Sequence, residues 1–557
     1  MKRATVLALG AIAVIAFALY LPFIGNPAVF DDRGLYSGHK FADYAAAPLG
    51  LDLRFPAYFS LAFVEVLWGR VEAHRLVSLA LHIGCGWALF ALIRQLGQTV
   101  LLALAGAAWF VVHPVAVYGA GYLVQRSIVL ATLFGLLSLV AYLRGLQRNT
   151  YLHAIGAAAL YSLAVLSKEH ALLLPAAAAA AAPLAAASVR FAMRYTALYF
   201  AASLPAAVFV ALLSRGIIGS TYEPQFEAIT AEISRGQAAA AAVESPWLGS
   251  VLTQAAMFFR YLGLWFWPST ARMSIDLKVD FAQTLPSAVA LPAVLGFLAC
   301  GALGAYLVAR RGRAGPAGFG LLFAWILFLV EFAVVRYQEP FVLYRSYLWA
   351  PGLAMMLVAL LAALPRVAIA VAFVAVAVAL PSQAVDRLQT FSSGTALWED
   401  AVSKVPVGAV PGAARPLYLL GREYLYAGQP DKAIEVVQRC IARYPSAADC
   451  HFARAAIHMH MEEHKAALPY LLQAIALQPK AGGARHHLGL VLENLGCIEE
   501  AKEQYRIAAR LGFVGGAHRL LRLESPGKGL LAPSAVPERQ CPATVRELIR
   551  SAAPRPD

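Results

Sequence analysis

Charge is scarce in this sequence. Only 14% of its 557 residues are charged and 60% are hydrophobic, with a mean hydropathy of +0.63. Soluble domains carry about 25% charged and roughly 45–50% apolar residues, so a soluble globular chain is excluded and a polytopic membrane protein is expected. Acidic residues are the rarer sign, 32 against 46 Lys and Arg, giving a formal net charge of +14. That excess does not point to nucleic acid, because the basic residues fall in short clusters between apolar runs, as they do in cytoplasmic loops. Cysteine is sparse too, at six residues, and no Cys and His spacing matches a zinc site.

Long apolar runs are what the sequence has instead. The first, 4–24, holds about 20 apolar residues, enough to cross a hydrocarbon core of roughly 30 Å. It follows "MKR" and lacks a small-residue cleavage site, so it reads as a retained span with a cytoplasmic N-terminus. Further spans are expected at 73–95, 99–117, 127–143, 151–166, 170–187, 196–214, 285–308, 316–336, 345–363 and 366–382, for about eleven in all. The stretch 250–267 is apolar but carries Arg260 and a proline. If it does not cross, Arg94, Arg144, Arg148, Arg190, Arg194, Arg310, Arg311, Arg313 and Arg366 all fall on one side without an acidic residue among them. That is the positive-inside pattern, so 250–267 is expected as a re-entrant or interfacial helix on the outer face.

Beyond residue 382 the apolar runs stop and a period of 34 appears. Gly428, Glu462 and Gly496 share one column, Ala433, Ala467 and Ala501 a second, Pro445 and Pro479 a third. Thirty-four is the tetratricopeptide period. The division expected is a membrane domain over 1–382, a linker over 383–414, about three repeats over 415–514 and a Pro-rich capping tail over 515–557, with one helix near 543–551. The fold class is therefore all-α, a polytopic helical bundle followed by an extracytoplasmic α-solenoid. Cys85 and Cys300 lie in spans, whereas Cys440, Cys450, Cys497 and Cys541 lie outside. These four are disulfide candidates for an oxidising compartment, Cys440 and Cys450 being near enough along the repeat to approach bonding distance; the alternative is buried free thiols.

Polar residues in the membrane half are functional candidates by default, and they gather at the outer ends of the spans. They are Asp31 and Asp32, then "HPVAVYGAGYLVQR" (113–126), "SKEH" (167–170), "RYLGLWFWPSTARMSID" (260–276) and "YRSYLWAPG" (344–352). These motifs, with "AHRLVSLALH" at 73 and "DRLQTFSSGTALWEDAVSKVP" before the repeats, resemble in order and over nearly the whole chain the transmembrane and tetratricopeptide-repeat O-mannosyltransferase family and its bacterial relatives, which belong to the GT-C glycosyltransferases.

The resemblance implies an inverting transfer of a sugar from a polyprenyl-phosphate donor to a protein Ser or Thr hydroxyl, at the outer face of a bacterial inner membrane, with the repeats in the periplasm holding the acceptor. Asp31 or Asp32 is then the base, its neighbour orienting it or raising its pKa. Arg126, Lys168, Arg260 and Arg345 are the cations for the donor phosphate, the competing role of each being interfacial snorkelling or ion pairing. His113 either donates to phosphate or acceptor or shapes a helix end, and Glu169 is a supporting partner of Lys168. Tyr118 stands where the family has Glu, and Leu343 where it has an acidic residue. No cofactor is implied; Arg and Lys can handle a monophosphate without a divalent metal. The competing class is a non-enzymatic membrane anchor for a tetratricopeptide scaffold of envelope or pilus assembly.

Overall fold

The computed structural model describes residues 2–36, 40–46, 52–216, 246–279, 289–336, 339–406, 410, 412–524 and 541–552. Among them every named element is helical, and Leu277 and Phe341 form an isolated antiparallel bridge. The contacts divide the chain into two units, one running to Asp400 and the other from Ala401 onward through the repeats.

A helix stands at each expected apolar run of the first unit. Six are long and apolar enough to cross a membrane: 3–23, 71–95, 123–148, 189–213, 290–310 and 312–333. Val100–Val112 and Pro114–Ala120 make a seventh if counted together, bent by 52°. The bend sits where Pro114 lacks an N–H and displaces the preceding turn. Leu152–Ser167, Glu169–Ala185 and Ala350–Leu361 are shorter apolar helices, and so is Phe55–Trp68, in a stretch where no span was expected. Small residues bring helices together: a Cβ on Gly320 would collide with the Gly352 carbonyl oxygen, and one on Gly352 with the Gly320 carbonyl oxygen, so neither position admits a side chain.

Pro246–Phe266, expected as a re-entrant or interfacial helix, is a single unbroken helix of 21 residues and is not among the helices apolar enough to cross. One expectation changes here. The linker expected over 383–414 is largely folded: the last apolar helix, Arg366–Thr390, runs past the membrane-type composition, and Gly394–Val402 follows it. The reason is burial. Phe391 and Trp398 are fully buried, and Arg387 pairs with Asp400 at 2.9 Å, so this segment closes the first unit.

The second unit contains three antiparallel helix pairs: Ala414–Tyr426 with Pro430–Arg443, Ala448–His460 with His464–Leu477, and Gly482–Asn494 with Ile498–Arg510. Each pair turns through the same column: Gly428, Glu462 and Gly496 have φ of +69°, +61° and +82°. Ala433, Ala467 and Ala501 are each fully buried, where a larger side chain would force the helices apart. Cys440 bonds Cys450 across one inter-pair turn. Of the capping tail, 525–540 and 553–557 lie outside the described residues; Val514–Glu524 and Ala543–Ala552 are helical. Cys541 bonds Cys497, and Val545 packs with Leu468, Leu471 and Leu488 in the repeat core.

Candidate functional site

The first helix ends at Tyr20, and the chain then turns into a short helix, Asp31–Tyr36. The turn is held from several directions. Asn26 donates its side-chain amide to the Leu388 carbonyl at 3.0 Å. Arg75, buried on the helix Val71–Gln95, spreads its guanidinium over the carbonyls of Asn26, Pro27 and Gly121 at 2.7–2.8 Å. A buried guanidinium on an apolar helix is satisfied here by three carbonyls, the Gly121 bond being fully buried.

Asp31 and Asp32 leave this turn in different environments. Asp31 is exposed, and its backbone amide donates to the Tyr122 hydroxyl at 3.3 Å. Asp32 is fully buried, and its carboxylate accepts the amides of Leu123 at 3.3 Å and Val124 at 2.8 Å. Burial pushes its carboxyl up to about 7, against the two amides and the Arg75 charge, which pull it down.

A second cluster forms where the turn 168–173 meets residues 331–345. Lys168 is 3% exposed. Among the described residues its ammonium has no hydrogen bond or ion pair; it lies 5.7 Å from the centre of the Tyr344 ring. Burial, with the nearby Arg54 charge, brings it down to about 7. Arg54 binds Glu169 through Nη2 at 2.6 Å and Nε at 3.1 Å. Arg345 donates to the Glu339 carbonyl at 3.1 Å and lies 3.5 Å from Glu331, which also meets Arg336 at 3.3 Å and His170 at 3.2 Å. Two tyrosines lie between the charges of the two clusters in electrostatic terms. Tyr122 lies within electrostatic reach of Asp31, Asp32 and Tyr344, and Tyr344 of Arg345, Arg336 and Arg54.

Not every candidate joins them. Arg126 is fully buried and its guanidinium is spent on Ser78 Oγ at 3.1 Å and the carbonyls of Ser60 at 3.1 Å and His74 at 2.7 Å. It ties three helices together and presents no free fork to a phosphate. His113 donates from Nε2 to the Trp265 carbonyl at 2.9 Å and accepts the Val115 amide on Nδ1 at 3.2 Å, so both ring nitrogens are used in shaping the bend. Arg260 is exposed, unlike Lys168 and Arg345, and lies over the Phe341 ring at 6.0 Å. Tyr118 is buried edge-on to Phe391 at 5.9 Å. Arg75, Arg54, Glu331, Tyr122 and Tyr344 belong to the site without having been singled out. Of these, Arg75, Tyr122 and Tyr344 sit inside motifs already noted, and Glu331 is the one charge in "LLFAWILFLVEFAVV".

Comparison with known proteins reaches the C-terminal unit. Residues 418–482 match the family described as Tetratricopeptide repeat. This region is a tetratricopeptide-repeat array. The solved structure "MamA MSR-1 C2" is 20% identical over 29% of this chain and 87% of its own, at a TM-score of 0.19. No curated protein matches the chain. Tetratricopeptide arrays in general present a face of stacked helices to binding partners.

Proposed function

We propose that this chain is a GT-C-type glycosyltransferase of a bacterial inner membrane, moving a sugar from a polyprenyl-phosphate carrier to a hydroxyl of an extracytoplasmic protein. The observation that supports the reading is the presence in one unit of an exposed carboxylate, Asp31, whose backbone amide bonds Tyr122, and a buried cation, Lys168, whose ammonium lies over the Tyr344 ring without a hydrogen bond among the described residues. The chemistry needs both. The acceptor oxygen attacks the anomeric carbon, its proton passes to Asp31, and the bond from that carbon to the phosphate oxygen breaks with inversion, the electron pair leaving on the lipid phosphate. Asp32, fixed by two amides, orients its neighbour. Lys168 and Arg345 face the growing charge on the leaving phosphate. Arg126 and His113 support the walls, and the repeats hold the protein acceptor on the periplasmic side.

The test is transfer in vitro from a polyprenyl-phosphate sugar to a hydroxyl peptide, using the purified full chain. Asp31→Asn abolishes transfer while leaving expression and folding as they were; full transfer by this variant removes the reading. A second reading, a membrane-anchored scaffold without catalysis, has the tetratricopeptide match in its favour. It predicts that partner capture by the chain is unaffected by Asp31→Asn and that no donor is consumed.

A further inference from the structure

Phe30 precedes the carboxylate pair and has φ +51°, in the left-handed region that a bulky residue avoids. Its amino-acid type does not call for that conformation, so surrounding contacts must impose it. They are aromatic. The Phe30 ring meets Trp398 edge-on at 5.0 Å and 88°, and stacks on Tyr122 at 6.4 Å and 13°. Trp398 is fully buried, and Phe391, from the same C-terminal segment of the first unit, lies 5.9 Å from Tyr122. The backbone beyond Phe30 continues directly into the site: the Asp32 amide bonds the Val29 carbonyl at 3.0 Å, and the Asp31 amide bonds Tyr122.

We propose that Phe30 and Trp398 are positioning residues, a ring clamp that locks the left-handed turn and so fixes the direction in which Asp31 is presented. The inference rests on the transferase reading and gives a role to the segment "LQTFSSGTALWED", whose Trp398 meets the Phe30 ring. Trp398 packs its ring against Phe30, so its removal frees the turn while every charged side chain of the site is kept. A turn with several accessible conformations places the base correctly for a smaller fraction of the time, which lowers turnover and leaves the phosphate subsite untouched.

The experiment uses the full chain in lipid nanodiscs, with amide hydrogen exchange over residues 26–36 and initial rates with a polyprenyl-phosphate sugar and a hydroxyl peptide. Trp398→Ala raises exchange over that stretch by about tenfold while the helix Val71–Gln95 keeps its protection. It lowers kcat by about tenfold or more and leaves the donor KM within about twofold. Trp398→Phe, which keeps an aromatic edge, recovers most of both. Phe30→Gly is the second variant: glycine adopts the same φ without strain and lacks the ring, so the chain folds and the rate still falls. Unchanged exchange in Trp398→Ala and Phe30→Gly overturns the clamp, and so does faster exchange with an unchanged rate. If the unaltered protein transfers no sugar, the transferase reading falls on that result, and the exchange arm decides the clamp separately.

Discussion

Arg54 grips Glu169 with two donors, Nη2 at 2.6 Å and Nε at 3.1 Å, from a left-handed backbone with φ +65°. Glu169 is the carboxylate next in sequence to Lys168, and this fork occupies it. The ammonium beside it is left against the Tyr344 ring with a cation, Arg54, nearby. A buried ammonium in that setting gains most from an added anion.

The pH dependence of donor use follows from Lys168. Its folded pKa is lowered to about 7 from 10.5, so the charged form dominates below 7 and disappears above it. Donor affinity is therefore strongest on the acid side, and the donor KM rises about tenfold between pH about 6 and about 8. Lys168→Arg stays charged throughout and flattens this rise. Initial rates across donor concentration at each pH check it; parallel profiles for the two proteins would assign the titration elsewhere.

Asp32 predicts a dependence of stability. Its folded carboxyl is raised to about 7 from 3.8, so the folded state holds the proton more tightly than the unfolded chain does. That stabilisation is complete below the unfolded value and is lost as pH rises through the folded one. Asp32→Asn does not titrate. Relative to Asp32→Asn, the unaltered chain loses thermal stability between pH about 4 and about 7. A constant difference in Tm between the two across that window contradicts the assignment.

The turn column of the repeats gives a stabilising substitution. Glu462 adopts φ +61° where Gly428 and Gly496 serve in the other repeats, and a non-glycine residue there costs about 1–2 kcal/mol. Glu462→Gly raises the resistance of the second unit to urea, measured by pulse proteolysis of the full chain, by about 1 kcal/mol. Gly496→Glu does the reverse.

Periodicity was legible in the sequence because the repeat states the same steric demand several times: a left-handed turn at 428, 462 and 496, and no room beyond a methyl at 433, 467 and 501. The carboxylate pair was legible for the opposite reason, as charge beside an apolar run. Direction was not. Arg126 stands in a polar motif as the other cations do in theirs, yet its side chain turns inward to the carbonyls of Ser60 and His74. Arg75 caps carbonyls from a turn about fifty residues away in sequence, a need set by tertiary packing. The segment 383–400 reads as polar linker because most of its side chains are hydrophilic. Two buried rings, Phe391 and Trp398, decide its fold.

Thiol accessibility checks the covalent framework. Cys440–Cys450 and Cys497–Cys541 are bonded, and Cys85 and Cys300 are free. Alkylation of the denatured, unreduced protein therefore labels Cys85 and Cys300 and none of the other four. The second bond closes a loop spanning 44 residues, for which chain entropy sets a stabilisation of about 4 kcal/mol. Cys541→Ser releases the helix Ala543–Ala552, seen as earlier proteolysis of the C-terminus. Labelling of all six thiols in protein taken directly from the envelope would place the array in a reducing compartment and contradict the periplasmic assignment.

The last prediction separates the array from the chemistry. A tetratricopeptide face that holds an extended segment of acceptor converts the encounter with Asp31 into an intramolecular one, with an effective concentration of the order of millimolar. It adds nothing to proton transfer or to the departure of the phosphate. Deleting 415–557 therefore lowers modification of a full-length protein acceptor severely, while transfer to a short hydroxyl peptide supplied near that millimolar concentration stays within about threefold. The residues of the site, from Asp31 and Arg75 to Lys168 and Arg345, lie outside the deleted segment, as do Phe30 and Trp398. Equal losses for both substrates would mean that the array maintains the membrane half, not the acceptor, and the donor KM would then change as well. A retained donor KM with loss confined to the protein acceptor identifies the repeats as the acceptor-holding surface.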